Sequence, residues 1–155
     1  MSRIGDQAVR RACVALALLL CTAALLGGVA GAATPAGYHV VAHPQNPLAS
    51  AERKFLADAF LKKAIRWPNG VTIQPVDLRS DALARQRFSE DVLRRSVAAV
   101  RSYWQQRIFT GRGVPPPELE SDAAVIQYVQ AHPGAIGYVS ERADVGAVKI
   151  IAVRQ

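Results

Sequence analysis

The chain has 155 residues, a net charge of +7 and two cysteines, Cys13 and Cys21. Both cysteines fall in an N-terminal leader whose pattern predicts removal, so the remaining stretch, 33–155, can hold one domain but not comfortably two, and forms no disulfide, thiol nucleophile or thiolate metal site. The charge is concentrated: residues 79–112 carry eight arginines against Asp81, Glu90 and Asp91, while the rest of that stretch balances.

The leader opens with Arg3, Arg10 and Arg11, continues through an almost unbroken apolar run from Ala12 to Leu26, and ends in small residues at Ala30-Gly31-Ala32. This is the layout of a secretory signal peptide and predicts cleavage after Ala32, with the mature protein periplasmic or secreted and without a stable membrane span. The run falls short of the roughly 18–20 residues of a spanning helix, which argues against a retained anchor. Lipid attachment at Cys21 is disfavoured by the bulky Leu20 before it, where a small residue is wanted.

Beyond the leader, Tyr38 to His43 reads as a strand stopped by Pro44 and Pro47. Ser50 is a plausible N-cap for a helix to about Arg66, with Phe55, Leu56, Ala59 and Phe60 spaced for one buried face. Trp67-Pro68-Asn69-Gly70 is a turn, and Val71 to Val76 a second strand that Pro75 confines to an edge or a strand end. From Ser80 or Asp81 a helix carries Ala84, Phe88 and Val92 on one side; a further helix from about Val97 carries Val100, Trp104 and Ile108. Thr110 to Pro117 is loop, stiffened by three successive prolines. Ser121 or Asp122 caps a helix to Ala131 that Pro133-Gly134 ends, and two strands follow, Ala135 to Val139 and Val148 to Val153. Strands at both ends with helices between predict an α/β fold in which helices cover a small mixed sheet.

Few groups in this chain suit covalent or metal chemistry. His39 and His43 lack further ligands nearby, and there is neither a His-Glu-x-x-His pattern nor an acidic cluster, so no metal and no cofactor is expected. The absence of a Gly-x-Ser-x-Gly elbow, of a phosphate-cradling glycine loop and of paired carboxylates speaks against an enzyme, and no catalytic residue is assigned. Trp67 and Trp104 read as core residues, and His132 as a partner for the last carbonyls of its helix. The arginines of 79–112 suit an oxyanion, an acidic protein partner or anionic headgroups, the plainer alternative being a solvated helical face. No nucleic-acid recognition motif is visible.

Several landmarks occur together and in order: Phe60-Leu61-Lys62-Lys63, Arg66 to Gly70, Ile73 to Asp77, Phe88, Trp104, Phe109-Thr110-Gly111, and His132 to Val139 with Pro-Gly-Ala-Ile-Gly-Tyr-Val at its centre. In this order the chain resembles the phosphate-binding proteins of ABC transporters, in the type II periplasmic binding protein superfamily. The resemblance implies a non-enzymatic substrate-binding fold. Members with a complete site enclose their ligand between two hinged lobes and are normally more than twice as long, so this chain is expected to build one lobe.

In the family, an Arg and a Ser-Gly-Thr step precede a helix so that backbone N–H groups and hydroxyls meet an oxyanion. Counting back from Phe88 places Ala82-Leu83-Ala84 at that step, without a hydroxyl; Arg79 and Ser80 stand nearby but slightly out of register. The expected ligand residues are therefore Ser50, Arg79, Ser80 and Asp81, holding phosphate or another oxyanion weakly. The alternative is an accessory module that docks on an acidic envelope protein or a membrane surface through its arginines, with no small-molecule ligand.

Overall fold

The computed structural model describes residues 37–155, so the leader and its cleavage site lie outside the described residues. The described residues form one compact unit. Its sheet is mixed and five-stranded, in the order β2-β7-β1-β6-β3, formed by β1 (Tyr38–Ala42), β2 (Ser50–Glu52), β3 (Gln74–Pro75), β6 (Ala135–Ser140) and β7 (Lys149–Arg154). Strand β1 runs antiparallel to β6 and β7, while β2 lies parallel to β7 and β3 parallel to β6. A separate parallel pair joins β4 (Asp77–Leu78) to β5 (Glu118–Leu119). Four helices complete the fold: α1 (Arg53–Phe60), α2 (Leu83–Asp91), α3 (Val97–Phe109) and α4 (Asp122–Ala131). Helices over a small mixed sheet are the architecture the sequence predicts.

Strand β6, interior to the sheet between β1 and β3, is buried from Ala135 to Val139, in keeping with its unbroken apolar run. Helix α4 packs on it and on β1. Gly137 makes the close approach possible: a Cβ there would stand 2.7 Å from Val125 Cγ1 and 3.0 Å from Val76 Cγ2. Gly134 is tighter still, since a Cβ would fall 2.0 Å from the Thr72 carbonyl oxygen. The same glycine's own carbonyl accepts from Trp67 Nε1 at 3.0 Å and from Gln74 N at 2.9 Å, which ties the Trp67 turn to the start of β6.

The proline in β3 is tolerated because the bonds to β6 fall on either side of it, Gln74 N to Gly134 and Val76 N to Ile136, and the strand is at the sheet edge. The chain then leaves the sheet and pairs Asp77 and Leu78 with β5, so the predicted strand over 71–76 is reduced to two residues. The strand at Glu118–Leu119, just after the prolines, has no counterpart in the sequence reading.

The first helix departs most from expectation. Ser50 caps nothing; it lies in β2 opposite Ala152, and α1 begins at Arg53 after Glu52, which makes no side-chain cap. The helix ends at Phe60 instead of Arg66 because Lys62 adopts a left-handed backbone and the amides of Lys63 and Ala64 turn back onto the Asp58 carbonyl. Helix α2 likewise starts later than expected: Ala82 is its N-cap, and neither Ser80 nor Asp81 caps it. Ser96 and Ser121 do cap α3 and α4, accepting from the amides of Ala99 and Ala124. His132 Nδ1 lies 2.8 Å from the Tyr128 carbonyl, as expected.

Three aromatic rings, Phe88, Phe60 and Tyr38, fix the position of Tyr138. Phe88 stacks on Tyr138 with ring centroids 4.0 Å apart and planes 9° from parallel, Phe60 lies 4.6 Å from Phe88, and Tyr38 meets Phe88 edge-on at 5.6 Å. Held this way, the Tyr138 hydroxyl points to the junction of β4 and α2.

Candidate functional site

At that junction a pocket of about 150 Å³ opens beside the β4–β5 pair. Asp77 of β4 and Arg85 of α2 form its inner wall, Ser80 its near edge, and Arg101, Trp104, Gln105 and Ile108 of α3 the opposite side, with Pro115 and Glu118 closing the end. The volume is below the roughly 300–1,000 Å³ of drug-sized ligand sites and suits a small ion.

The inner wall is a buried ion pair. Arg85 Nη1 lies 2.5 Å from Asp77 Oδ1, and both residues are only 4% exposed. Tyr138 donates its hydroxyl to Asp77 Oδ1 at 2.9 Å and accepts from Arg85 Nη1 at 3.1 Å and from the Leu78 amide at 3.3 Å. Glu118 Oε1 stands 3.8 Å from Arg85 Nη2, and the buried Arg85 Nε has no partner. Burial pushes the Asp77 carboxyl above its ordinary range against the pull of Arg85, so the carboxylate depends on its cation. Burial and the adjacent carboxylate raise Tyr138 as well, which keeps its hydroxyl neutral and able to donate.

Of the four residues singled out in the sequence, only Ser80 lines the pocket, with its Oγ 3.4 Å from Arg101 Nη2. Arg79 and Asp81, in the same turn, bind each other at the surface through two contacts of 2.5 Å, and the hydrogen bond from Arg79 holds the Asp81 carboxyl below its ordinary range. Ser50 is on β2, at the sheet edge opposite β3, outside the pocket lining.

The basic face also needs correction. Arg85, counted with the surface arginines of 79–112, is buried because α2 turns it toward Asp77 along with Ala84 and Phe88. Ile108, expected beside Val100 and Trp104 in the core, is 53% exposed, for it lies at the pocket wall where α3 runs past the body. The place of the Ser-Gly-Thr step is occupied by Ala82-Leu83-Ala84 at the start of α2, where no side chain caps the helix. Asp77 and Arg85 were missed as partners because they lie eight residues apart on different elements. The hint was an acid directly after Val76 at the end of the expected strand, followed by an arginine on the helical face shared with Phe88 and Val92.

No protein-family model and no curated protein matches the chain. Among solved structures, the fold matches a Clostridium perfringens protein described as a phosphate ABC transporter substrate-binding protein and solved with bound phosphate, at a TM-score of 0.59 and 20% identity, over 76% of this chain and 44% of that one. The chain has the fold of a single lobe of a phosphate-binding protein. An ABC-type phosphate transport receptor from Vibrio cholerae matches at a TM-score of 0.53 and 16% identity, over 76% of this chain and 46% of that one. PstS from Borrelia burgdorferi matches at 0.54 and 13%, over 77% and 47%. The lobe thus spans less than half the length of each of these proteins. Among the described residues, no helix is long and apolar enough to cross a membrane, and no group of three or more metal-ligating side chains occurs.

Proposed function

We propose that this chain is an exported, non-enzymatic binding lobe that holds a small oxyanion, phosphate or one like it, weakly in the pocket between α2 and α3. The observation that carries this reading is the meeting of two guanidinium groups and one hydroxyl, Arg85, Arg101 and Ser80, in one pocket of a fold shared with a protein solved with bound phosphate. Arg101 and Ser80 are the direct ligands at the rim. Arg85 contributes from behind and is already engaged by Asp77. Arg79 adds little because Asp81 neutralises it, and Ser50 takes no part.

Weak binding follows from the same geometry. Asp77 and Glu118 both engage Arg85 and leave Arg101, among the described residues, as the unpaired cation, and a pocket open on one side leaves its anion partly hydrated, so each ionic contact is reduced by water and salt. Export is supported by the leader, from Arg3 to Ala32, and by the transport-binding proteins that share the fold.

The reading is tested by an NMR titration of residues 34–155 with phosphate. The amides of Ser80, Arg101 and Gln105 should shift saturably in the parent and in Ser50→Ala, and stay unmoved in Arg101→Ala. Unmoved pocket amides in the parent at high millimolar phosphate would overturn it.

A further inference from the structure

Helix α3 ends in an apolar tip at the rim of the pocket, and most of that tip lies outside the lining. Phe109, its last residue, is 93% exposed; Ile108 before it and Val114 in the loop beyond, 63% exposed, complete an apolar tip. The tip is held by a closed backbone turn: Thr110 N bonds to Gln106, Gly111 N to Ile108 and Arg112 N to Arg107, with Gly111 left-handed. Arg107 folds inward, donating to the Arg112 carbonyl at 2.7 Å and lying over the Tyr103 and Trp104 rings. Lys62 Nζ donates to the Pro115 carbonyl from the other side. A large ring is therefore displayed on a pinned support, with almost nothing of the protein against it.

Along the chain on both sides of the tip, charge has one sign. From Val92 to Pro117 there is no acid, and five arginines occur. Among the described residues, Arg94, Arg95, Arg101 and Arg112 take part in no ion pair. We propose that the end of α3 is a docking surface for an anionic lipid bilayer, with Phe109, Ile108 and Val114 entering the interface and the arginines of α3 and its flanks resting on headgroup phosphates. An aromatic side chain that stands clear of the body at one end of α3, with Arg112 beside it in sequence and further unpaired arginines along the helix and before its start, matches a fluid anionic surface. Such a surface needs no shaped complement, takes apolar groups to a depth of roughly 5–10 Å, and rewards each nearby cation. An acidic protein would satisfy the arginines but leaves the exposed ring unexplained. The inference needs no ligand in the pocket, although Arg101 and Ile108 also line it.

The test is co-sedimentation of residues 34–155 with vesicles of phosphatidylglycerol and, separately, of phosphatidylcholine. Binding to the anionic vesicles should exceed that to the zwitterionic ones by at least about tenfold and weaken with salt. Phe109→Ser should lower anionic binding at least about tenfold without moving the unfolding midpoint. Neutralising Arg112, Arg95 and Arg94 in turn to Gln should lower it by up to about fivefold per residue. In Phe109→Trp, with both native tryptophans changed to Phe, emission should shift to the blue on phosphatidylglycerol vesicles. No binding to those vesicles, binding indifferent to Phe109→Ser, or an unshifted emission would each overturn the inference. So would a dimer in solution that Phe109→Ser dissociates, since the tip would then be covered by a second copy.

Discussion

Arg85 reaches Asp77 at 2.5 Å across the gap between α2 and β4, and the pair is closed over by Tyr138 from β6. One strand of the two-stranded pair, one helix and an interior strand of the main sheet are thereby joined at one buried point, which is also the inner wall of the pocket. Removing one member of a buried ion pair leaves the other charge unpaired, at about 3–5 kcal/mol, whereas replacing both by apolar groups of similar size is far less damaging. Arg85→Met should therefore lose stability in that range by urea denaturation, and Asp77→Leu/Arg85→Met should regain most of it. A single-variant loss below about 1 kcal/mol, the range of exposed pairs, would contradict the buried pairing.

Alkaline stability reports on the two core tyrosines. Burial raises both Tyr38 and Tyr138 above the ordinary value of 10.0, aided by Asp91 at 2.5 Å from the Tyr38 hydroxyl and by Asp77 at Tyr138. With the folded values raised, the folded state keeps protons that the unfolded state gives up. The contribution is thus fully present below about pH 10 and is lost as the pH climbs through the folded values. Unfolding free energy should fall above about pH 10, and Tyr138→Phe should flatten that fall. An equally steep fall in the double variant Tyr38→Phe/Tyr138→Phe would assign it to other groups.

Gly134 and Gly146 form a controlled pair. A Cβ at Gly134 meets a backbone oxygen at 2.0 Å, whereas at Gly146 the nearest atom is the Asp144 carboxylate at 3.4 Å. Gly134→Ala must push apart the Trp67 turn and β6, so a loss of about 3 kcal/mol or more is expected, above the usual overpacking range. Gly146→Ala should stay within about 0.5 kcal/mol. Thermal unfolding of the two variants compares them directly.

The parts of this fold that the sequence disclosed are those with strong local signals. Tyr38–Ala42 and Ala135–Ser140 are apolar strands bounded by Pro and Gly, Ser121 caps a helix to Ala131, and α3 begins at Val97, where its periodic residues begin. The single-lobe architecture was readable from the ordered landmarks at Trp67 and at Pro133 to Val139. Hidden were features decided by distant partners. Ser50 looks like a helix cap but is recruited by Ala152 into β2, and Glu118–Leu119 becomes a strand only because Asp77 and Leu78 arrive beside it. The pocket shows the same divide: Ser80 could be located from its place before α2, whereas the pairing of Arg85 with Asp77 depends on a tertiary contact that no spacing rule encodes.

Export makes a prediction about the chain itself. N-terminal sequencing of the protein recovered from outside the cytoplasm should begin at Ala33. A product that retains Met1 and stays in the cytoplasm would contradict the assignment of the leader.

The central claim is that one lobe can hold an oxyanion but not enclose it, and calorimetric titration of residues 34–155 with phosphate at low and then moderate salt measures this most directly. The account predicts saturable one-to-one heat with a dissociation constant of about 1 mM or weaker, a binding free energy no stronger than about −4 kcal/mol, further weakened by salt and lost in Arg101→Ala. Micromolar or tighter binding that salt leaves untouched would contradict it, as would the absence of any heat at tens of millimolar phosphate.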